Sequence, residues 1–479
     1  MKIVFVSSEI IPFASSGGLG DVAAALPKAL AKENIDIFRI MPLYGCIDQE
    51  KYSLEKMNID LDITFGPMNF KGFVYKQEYD QVTTFFIKSN DFFNRNGLYG
   101  EENEDYSDNF ERFLFFQKSV VELIDKLKLE PDIVHCNDWH TSLIPMMLKF
   151  GVRGVVRSGK EKSLITIHNL AHQGWFSSDK FYMTQFPLAC FSPDCLEYYN
   201  QINCFKGGLI EADAVNAVSP TYSKEILTDK FGNKLEGVLN TVKDKLTGIL
   251  NGVDYERWNP ETDNYIKNNF SVNQLEGKAI CKKDIQEFYK LPINSQIPIL
   301  SMVSRLTSQK GLDILNDSID EIMNLDLQII FLGTGDKHYE DAIRYWAKKW
   351  PNKISASIEF SSDQAHRIFA GSDLFLMPSI FEPCGQSQIY SMRYGTLPLA
   401  FATGGLLDTI TDYPKKGSTG FLFYRFDKYD FVEKLKYSLE IYKESKKWNK
   451  IVKRAMTADF SVNKMAKDYI KLYKKIINQ

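Results

Sequence analysis

The chain has 479 residues, 44% hydrophobic and 25% charged, which is too long for one ordinary core and too apolar for disorder, so two large globular domains are expected. Its 58 Lys and Arg against 61 Asp and Glu give a net charge of −3, without the basic excess that nucleic acid or an anionic membrane would call for. No window is apolar over a spanning length and the first apolar run stops at Ser7, so neither a membrane segment nor a secretory leader is expected.

Lys2 to Val6 reads as a buried parallel strand, and after a loop, Ala14 to Gly20, the segment Asp21 to Lys32 has helical periodicity with Asp21 at its start. Ile35 to Met41 resumes the strand pattern, which gives the opening βαβ unit of a doubly wound α/β fold. Further strands are predicted at Thr83 to Lys88, Ile133 to Cys136, Ser163 to His168 and Ala214 to Val218. The polar, aromatic stretch Asn90 to Asn109 is long for a connection, and it is either a functional surface loop or a solvated insertion. Asn251 to Leu275 reads as the connection between two halves. A second alternating series then follows, with strands predicted at Pro298 to Val303, Leu327 to Leu332, Ser357 to Phe360, Leu374 to Pro378 and Leu397 to Phe401. Val462 to Ile477 has a helical pattern with no strand after it.

Chemistry-bearing residues gather where these strands end, which is where open α/β sheets bind ligands. Ser15-Ser16-Gly17-Gly18-Leu19-Gly20-Asp21 is a glycine turn opening a helix; it is either a tight turn or a place where backbone amides meet a phosphate. His135-Cys136-Asn137-Asp138-Trp139-His140 and Thr166-Ile167-His168-Asn169 bring imidazole and carboxylate groups to two further strand ends. The histidines lack the HExxH pattern of a zinc protease. In the second half, Arg305 and Lys310 lie in a strand-to-helix loop, where fixed cations suit a leaving diphosphate. Phe381-Glu382-Pro383-Cys384-Gly385-Gln386-Ser387-Gln388 places a carboxylate and a helix start at one turn, and Thr403-Gly404-Gly405 closes the next strand. The seven cysteines are odd in number and contain no CxxC pair. A disulfide framework and a structural zinc site are therefore not expected, and a reducing cytoplasm is the expected location.

The segments SSEIIPFASSGGLGDVAAALPKAL, HCNDWHTSLIP, ITIHNLAHQGWF, NAVSPTYSKEI, GILNGVDYERWNPETD, SRLTSQKGLD and PSIFEPCGQSQIYSMRYGTLP resemble, in order and over nearly the whole chain, the bacterial glycogen synthase and plant starch synthase family. The resemblance implies a GT-B fold of two Rossmann-like domains facing a central cleft. Residues 1–250 with a returning helix at 461–479 would form the acceptor side, and residues 251–460 the donor side. It implies retaining transfer of glucose from ADP-glucose to the non-reducing end of an α-1,4-glucan such as glycogen, with no cofactor and no metal ion. By position, Arg305 and Lys310 would hold the diphosphate, Glu382 the transferred glucose, and the backbone from Cys384 through Gly385 to Ser387 the sugar or phosphate. His168, Asn169 and Asp138 would line the glucose pocket, Asn251 would reach it from the domain junction, and Gly18 would let its loop close over phosphate. Asp21 and Thr403 belong to the same binding set.

Three positions depart from the family pattern. Ser15 stands where a lysine is usual, Phe401 where arginine is common, and Phe360 where some members stack a tyrosine on adenine. Two other readings follow from them: an enzyme of the same fold using UDP-glucose, and a glucan-binding homologue without activity.

Overall fold

The computed structural model describes residues 1–101, 104–151 and 160–479, and the chain divides into two compact units, Met1–Gly252 with Val462–Gln479, and Val253–Ser461.

The first unit is built on one nine-stranded sheet. In chain order its strands are β1 (Lys2–Val6), β2 (Asp36–Pro42), β3 (Glu55–Phe65), β4 (Met68–Tyr79), β5 (Val82–Lys88), β6 (Ile133–Asn137), β7 (Lys162–Ile167), β8 (Ala214–Ala217) and β9 (Leu246–Gly248). They lie in the order β9-β8-β7-β6-β1-β2-β5-β4-β3, parallel from β9 to β5. Covered on both faces, the parallel strands read as unbroken apolar runs such as Ile3 to Val6. The β3–β4 hairpin pairs antiparallel at the edge and is absent from the expected elements. Its signal is the alternation Met57, Ile59, Leu61, Ile63, Phe65, the period of a strand with one solvated face.

The helix Gly18–Lys32 starts three residues before the predicted Asp21, which falls in its first turn. It buries Val22, Leu26 and Leu30 at four-residue spacing and packs beside the C-terminal helix Val462–Ile477. That last helix completes the first unit through a buried polar ladder. His135 lies between the Tyr473 hydroxyl and Thr166 Oγ1, each 2.8 Å from a ring nitrogen, while Asn216 donates to the Tyr469 hydroxyl at 2.9 Å.

The second unit has a six-stranded parallel sheet: β10 (Ile299–Val303), β11 (Gln328–Leu332), β12 (Ile354–Ser357), β13 (Leu374–Met377), β14 (Leu397–Phe401) and β15 (Phe421–Phe423), ordered β12-β11-β10-β13-β14-β15. One predicted strand shifts: β12 ends at Ser357, where its partner β11 ends at Leu332, so Phe360 lies three residues beyond the sheet. The apolar alternation Ile354, Ala356, Ile358, Phe360 runs past the last residue that has a partner. The stretch from Val253 onward is also not a loose connection. Trp258 is sandwiched between His366 at 3.9 Å and Tyr390 at 4.0 Å, and the Asp263 carboxylate bonds His366 and accepts from Tyr394, which fastens this segment into the second core.

Each sheet reverses its strand order at one point, between β1 and β6 in the first unit and between β10 and β13 in the second. Connections leave those neighbouring strands in opposite directions, opening a crevice at their carboxyl ends. The sequence motifs sit at both crevices.

Candidate active site

At the first crevice the organising group is Glu9, which the motif reading passes over. Its carboxylate is buried and accepts from the Ser16 amide at 2.7 Å, the Ser16 hydroxyl at 2.7 Å, the Gly17 amide at 3.2 Å and the Tyr99 hydroxyl at 2.6 Å. Two amides of the glycine loop are thus already taken by an internal carboxylate, one step before the helix that begins at Gly18. Ser15 joins the same network, donating toward Glu9 at 3.2 Å and toward the Gly17 carbonyl at 3.0 Å. A short hydroxyl at this place turns inward to Glu9.

Tyr99 brings in the stretch Asn90 to Asn109, whose residues 102 and 103 lie outside the described ones. Phe92 and Phe93 are buried, Arg95 clasps Asp108 with two bonds of 2.7 and 2.6 Å, and the Tyr99 ring stacks on His140 at 4.6 Å. The solvated-insertion reading fails for this segment, because its middle is packed against the site.

Asp138 follows β6 with φ +55° and ψ −175°, a backbone conformation that glycine alone adopts without strain. Its Oδ1 accepts from the amides of His168 at 2.7 Å and Asn169 at 3.3 Å, which ties the end of β6 to the end of β7. Burial outweighs those bonds, and the nearby Glu9 adds to it, so the carboxyl is pushed up to about 7. His168 is pushed down to about 3 by burial, which keeps its ring neutral. Its tautomer follows from its neighbour. Asn137 Nδ2 donates to the Val6 carbonyl at 2.9 Å, so Asn137 Oδ1 is the acceptor for His168 Nε2–H at 2.9 Å, leaving Nδ1 as a hydrogen-bond acceptor. Asn169 turns its own Oδ1 to the Ala171 amide at 3.1 Å. Asn251 is also buried in this unit, and its Oδ1 has no hydrogen-bond partner among the described residues. Such an atom is costly unless something supplies a donor.

At the second crevice, Lys310 Nζ lies 2.6 Å from Glu382 Oε2, with both side chains largely buried, and Arg305 is exposed on the same loop. The two loops are laced together: Ile380 N donates to the Gln309 carbonyl at 2.9 Å, and Gln309 Nε2 reaches the Phe381 carbonyl at 3.3 Å. Gln388, fully buried and the last residue of that sequence motif, donates through Nε2 to the carbonyls of Cys384 and Gly385, both at 3.1 Å. That grip fixes the turn ahead of the helix Ser387–Arg393. Gly405 N donates to the Glu382 carbonyl at 3.0 Å, so the segment after Thr403 backs the carboxylate-bearing turn. The structure therefore brings Lys310, Glu382, Cys384, Gly385, Ser387 and Thr403 to one end of the sheet. Phe360 lies apart from these contacts, after β12, with its ring 92% exposed. Phe401 is buried in β14 and packs on Phe423 and Phe426.

Gly311 is needed for this alignment. It has φ +73°, and a Cβ there would stand 1.9 Å from the Pro378 carbonyl oxygen at the end of β13. Gly311→Ala is expected to lower the melting temperature through a loss of about 2 kcal/mol or more. Activity should fall at least tenfold as the Lys310 loop is pushed off the Glu382 turn, which thermal melts and steady-state kinetics will read together.

Residues 2–241 match the family described as Starch synthase catalytic domain, and residues 284–455 that described as Glycosyl transferases group 1. The chain is 41% identical over 480 residues to the glycogen synthase of Geotalea daltonii, covering 100% of this chain and 99% of that protein. It belongs to the glycogen and starch synthase family. A second glycogen synthase, from Thermotoga petrophila, is 42% identical over 486 residues, with 100% of this chain and 99% of the relative covered. Among solved structures, the catalytic domain of Starch Synthase IV from Arabidopsis thaliana, bound to ADP and acarbose, superposes with a TM-score of 0.92 at 30% identity, covering 100% of this chain and 99% of that one. A sucrose-phosphate synthase from Thermosynechococcus elongatus, at TM-score 0.60 and 16% identity, shares the fold. The chain is thus a glycosyltransferase with two Rossmann-like units of the GT-B class. Among the described residues no helix is long and apolar enough to cross a membrane, and no group of three or more His, Cys, Asp or Glu is placed to hold a metal ion.

Proposed function

We propose that this member of the family transfers glucose from ADP-glucose to the non-reducing end of an α-1,4-glucan with retention of configuration, acting in the cytoplasm without a metal ion. The observation that carries the reading is the Lys310–Glu382 pair, at 2.6 Å, on the switch point of the second sheet with Arg305 on the same loop. Breaking the bond between sugar and phosphate leaves negative charge on the diphosphate. Cations fixed at a strand end stabilise that charge as it forms, without the reorganisation that water would require. On arrival of the donor, Lys310 turns from Glu382 to the phosphate, and Glu382 is left to accept hydrogen bonds from the transferred glucose. In the first unit, neutral His168 offers Nδ1 to a sugar hydroxyl, Asp138 either donates or accepts near neutral pH, and Asn251 Oδ1 takes the donor it lacks. Asn169 and Asp21 add to these sugar contacts, and Gly18 lets the loop that carries Ser15 close over phosphate. The backbone of Cys384, Gly385 and Ser387, with Thr403 behind it, completes the phosphate side.

ADP as the leaving group is supported by the starch synthase relative solved with ADP. A UDP-glucose enzyme remains the second reading, and the observation that favours it is Phe360, exposed and without a hydroxyl to orient a purine. The test is a panel of ADP-, UDP- and GDP-glucose with glycogen as acceptor, run in chelator, with the anomeric form of the new linkage read by NMR. Transfer from ADP-glucose with the highest kcat/KM and an α-linkage is expected. Preference for UDP-glucose overturns the donor assignment, and no transfer from any donor by folded protein overturns the whole reading.

A further inference from the structure

The connection that carries His168 and Asn169 continues to Trp175, which begins a small antiparallel sheet of Trp175–Ser177, Gln201–Asn203 and Glu197–Tyr198. The hairpin between the last two strands turns at Tyr199 and Asn200, with φ +50° and +59°. Two positive φ values in a row are the signature of a tight hairpin turn that favours Asn and Gly; a tyrosine in that place is strained. Strain of this kind persists where the surrounding structure and function require it. Here the strained residue is also one of the most exposed aromatics of the chain, at 71%.

What the turn accomplishes is to present a ring. Tyr199 lies nearly parallel to Trp175, with 13° between planes and 6.4 Å between centroids, and Tyr198 braces both edge-on at 4.6 and 5.4 Å. The surface is rigid. Trp175 Nε1 donates to Gln173 Oε1 at 2.7 Å, and that buried amide is itself fixed by Asn203 Nδ2 at 2.8 Å and by its own bonds to the carbonyls of Leu170 and Asn233. The Tyr198 hydroxyl is anchored on the Lys234 carbonyl. Two flat, pre-ordered and nearly parallel rings, one of them largely exposed, suit a ligand with flat apolar faces and repeating units. A pyranose ring is such a ligand: its C–H face is weakly positive and packs on the negative face of an aromatic ring. Ordering the rings beforehand removes the entropy cost of fixing them on binding.

We infer that Trp175 and Tyr199 form a platform that anchors an α-glucan chain of the acceptor on the first unit, continuous with the loop of His168. The inference deepens the proposed function and rests on its acceptor. It gives a large glucan a second hold, so that a released chain end stays near the enzyme.

The test uses the full chain and the variants Tyr199→Gly and Trp175→Ala. Glycine accepts the positive φ, so Tyr199→Gly removes the ring without loss of the turn. Co-sedimentation with glycogen is expected to weaken roughly three- to tenfold in each variant, and KM for glycogen to rise by the same factor. The kcat with maltotriose, too short to reach a second hold, should stay within about twofold of the unmutated value. A Tyr199→Gly protein that melts normally and sediments with glycogen as the unmutated protein does would overturn the platform. Sedimentation needs no turnover, so a failure of the transfer reaction itself appears separately, as an unmutated protein that binds glycogen and transfers nothing.

Discussion

Lys310→Ala is expected to lower kcat for the proposed glucosyl transfer by about a hundredfold or more, the usual cost of removing one group placed to stabilise developing charge. The structure adds a second, separable effect. With Lys310 gone, the largely buried Glu382 carboxylate loses its partner at 2.6 Å and is left facing a low-dielectric turn. A stability loss of about 2 kcal/mol is expected, smaller than for a fully enclosed pair because both side chains keep some exposure. The double variant Lys310→Ala, Glu382→Gln regains most of that stability, since the amide needs no counter-charge, and regains none of the activity. Melting curves on the single and double variants, set beside kcat on each, form a cycle that isolates the pair. A double variant as unstable as Lys310→Ala would show that the ion pair is not what the lysine contributes.

Asp138→Asn acts in the opposite sense on stability. The folded carboxyl is raised to about 7 against an ordinary 3.8, so between those values the native state holds a proton that the unfolded chain has released. Stability from this group is therefore fully present below about pH 4 and is lost as the pH rises through about 7, a total on the order of 2–4 kcal/mol. Asparagine keeps an acceptor for the His168 and Asn169 amides and has no charge to bury. The difference in melting temperature between Asp138→Asn and the unmutated protein should thus grow in favour of the variant from pH 5 to pH 8. Its kcat/KM is expected to fall by about a hundredfold or more, because a carboxyl that can give or take a proton near neutrality is replaced by an amide with fixed donors. A melting difference that is flat with pH would remove the buried-carboxyl account.

Both experiments address residues that stand out in the sequence, and the contrast with those that do not is instructive. Arg305, Lys310, Glu382, Asp138 and His168 follow strands whose apolar runs are plain, and the alternation of strand and helix dictates which ends of those strands gather. Glu9 and Tyr99 act through a contact that no local pattern announces, since Tyr99 meets Glu9 across 90 positions of chain; Gln388 stands in its motif, but its grip on the Cys384 and Gly385 carbonyls is not legible there. The strained backbone of Asp138 leaves no trace in residue type, since aspartate is ordinary at a strand end. The hairpin of Glu55–Phe65 and Met68–Tyr79 is different, because its alternation is visible and only its place at the sheet edge, paired antiparallel, is not. Ser15 shows the limit of reading by position. Its neighbours match the family, but whether a short hydroxyl leaves the loop empty or folds into it depends on Glu9, six residues away.

The returning helix Val462–Ile477 carries a consequence for how the protein is made. The chain leaves the first unit after Gly252 and re-enters it only at Val462, while Val253 pairs with Ser461, so the ends of the second unit lie side by side like those of a guest domain. A ribosome emits the entire second unit before it emits the tyrosines that meet His135 and Asn216. Until Val462–Gln479 is translated, the host keeps that polar ladder open, even once the whole of the guest has been made.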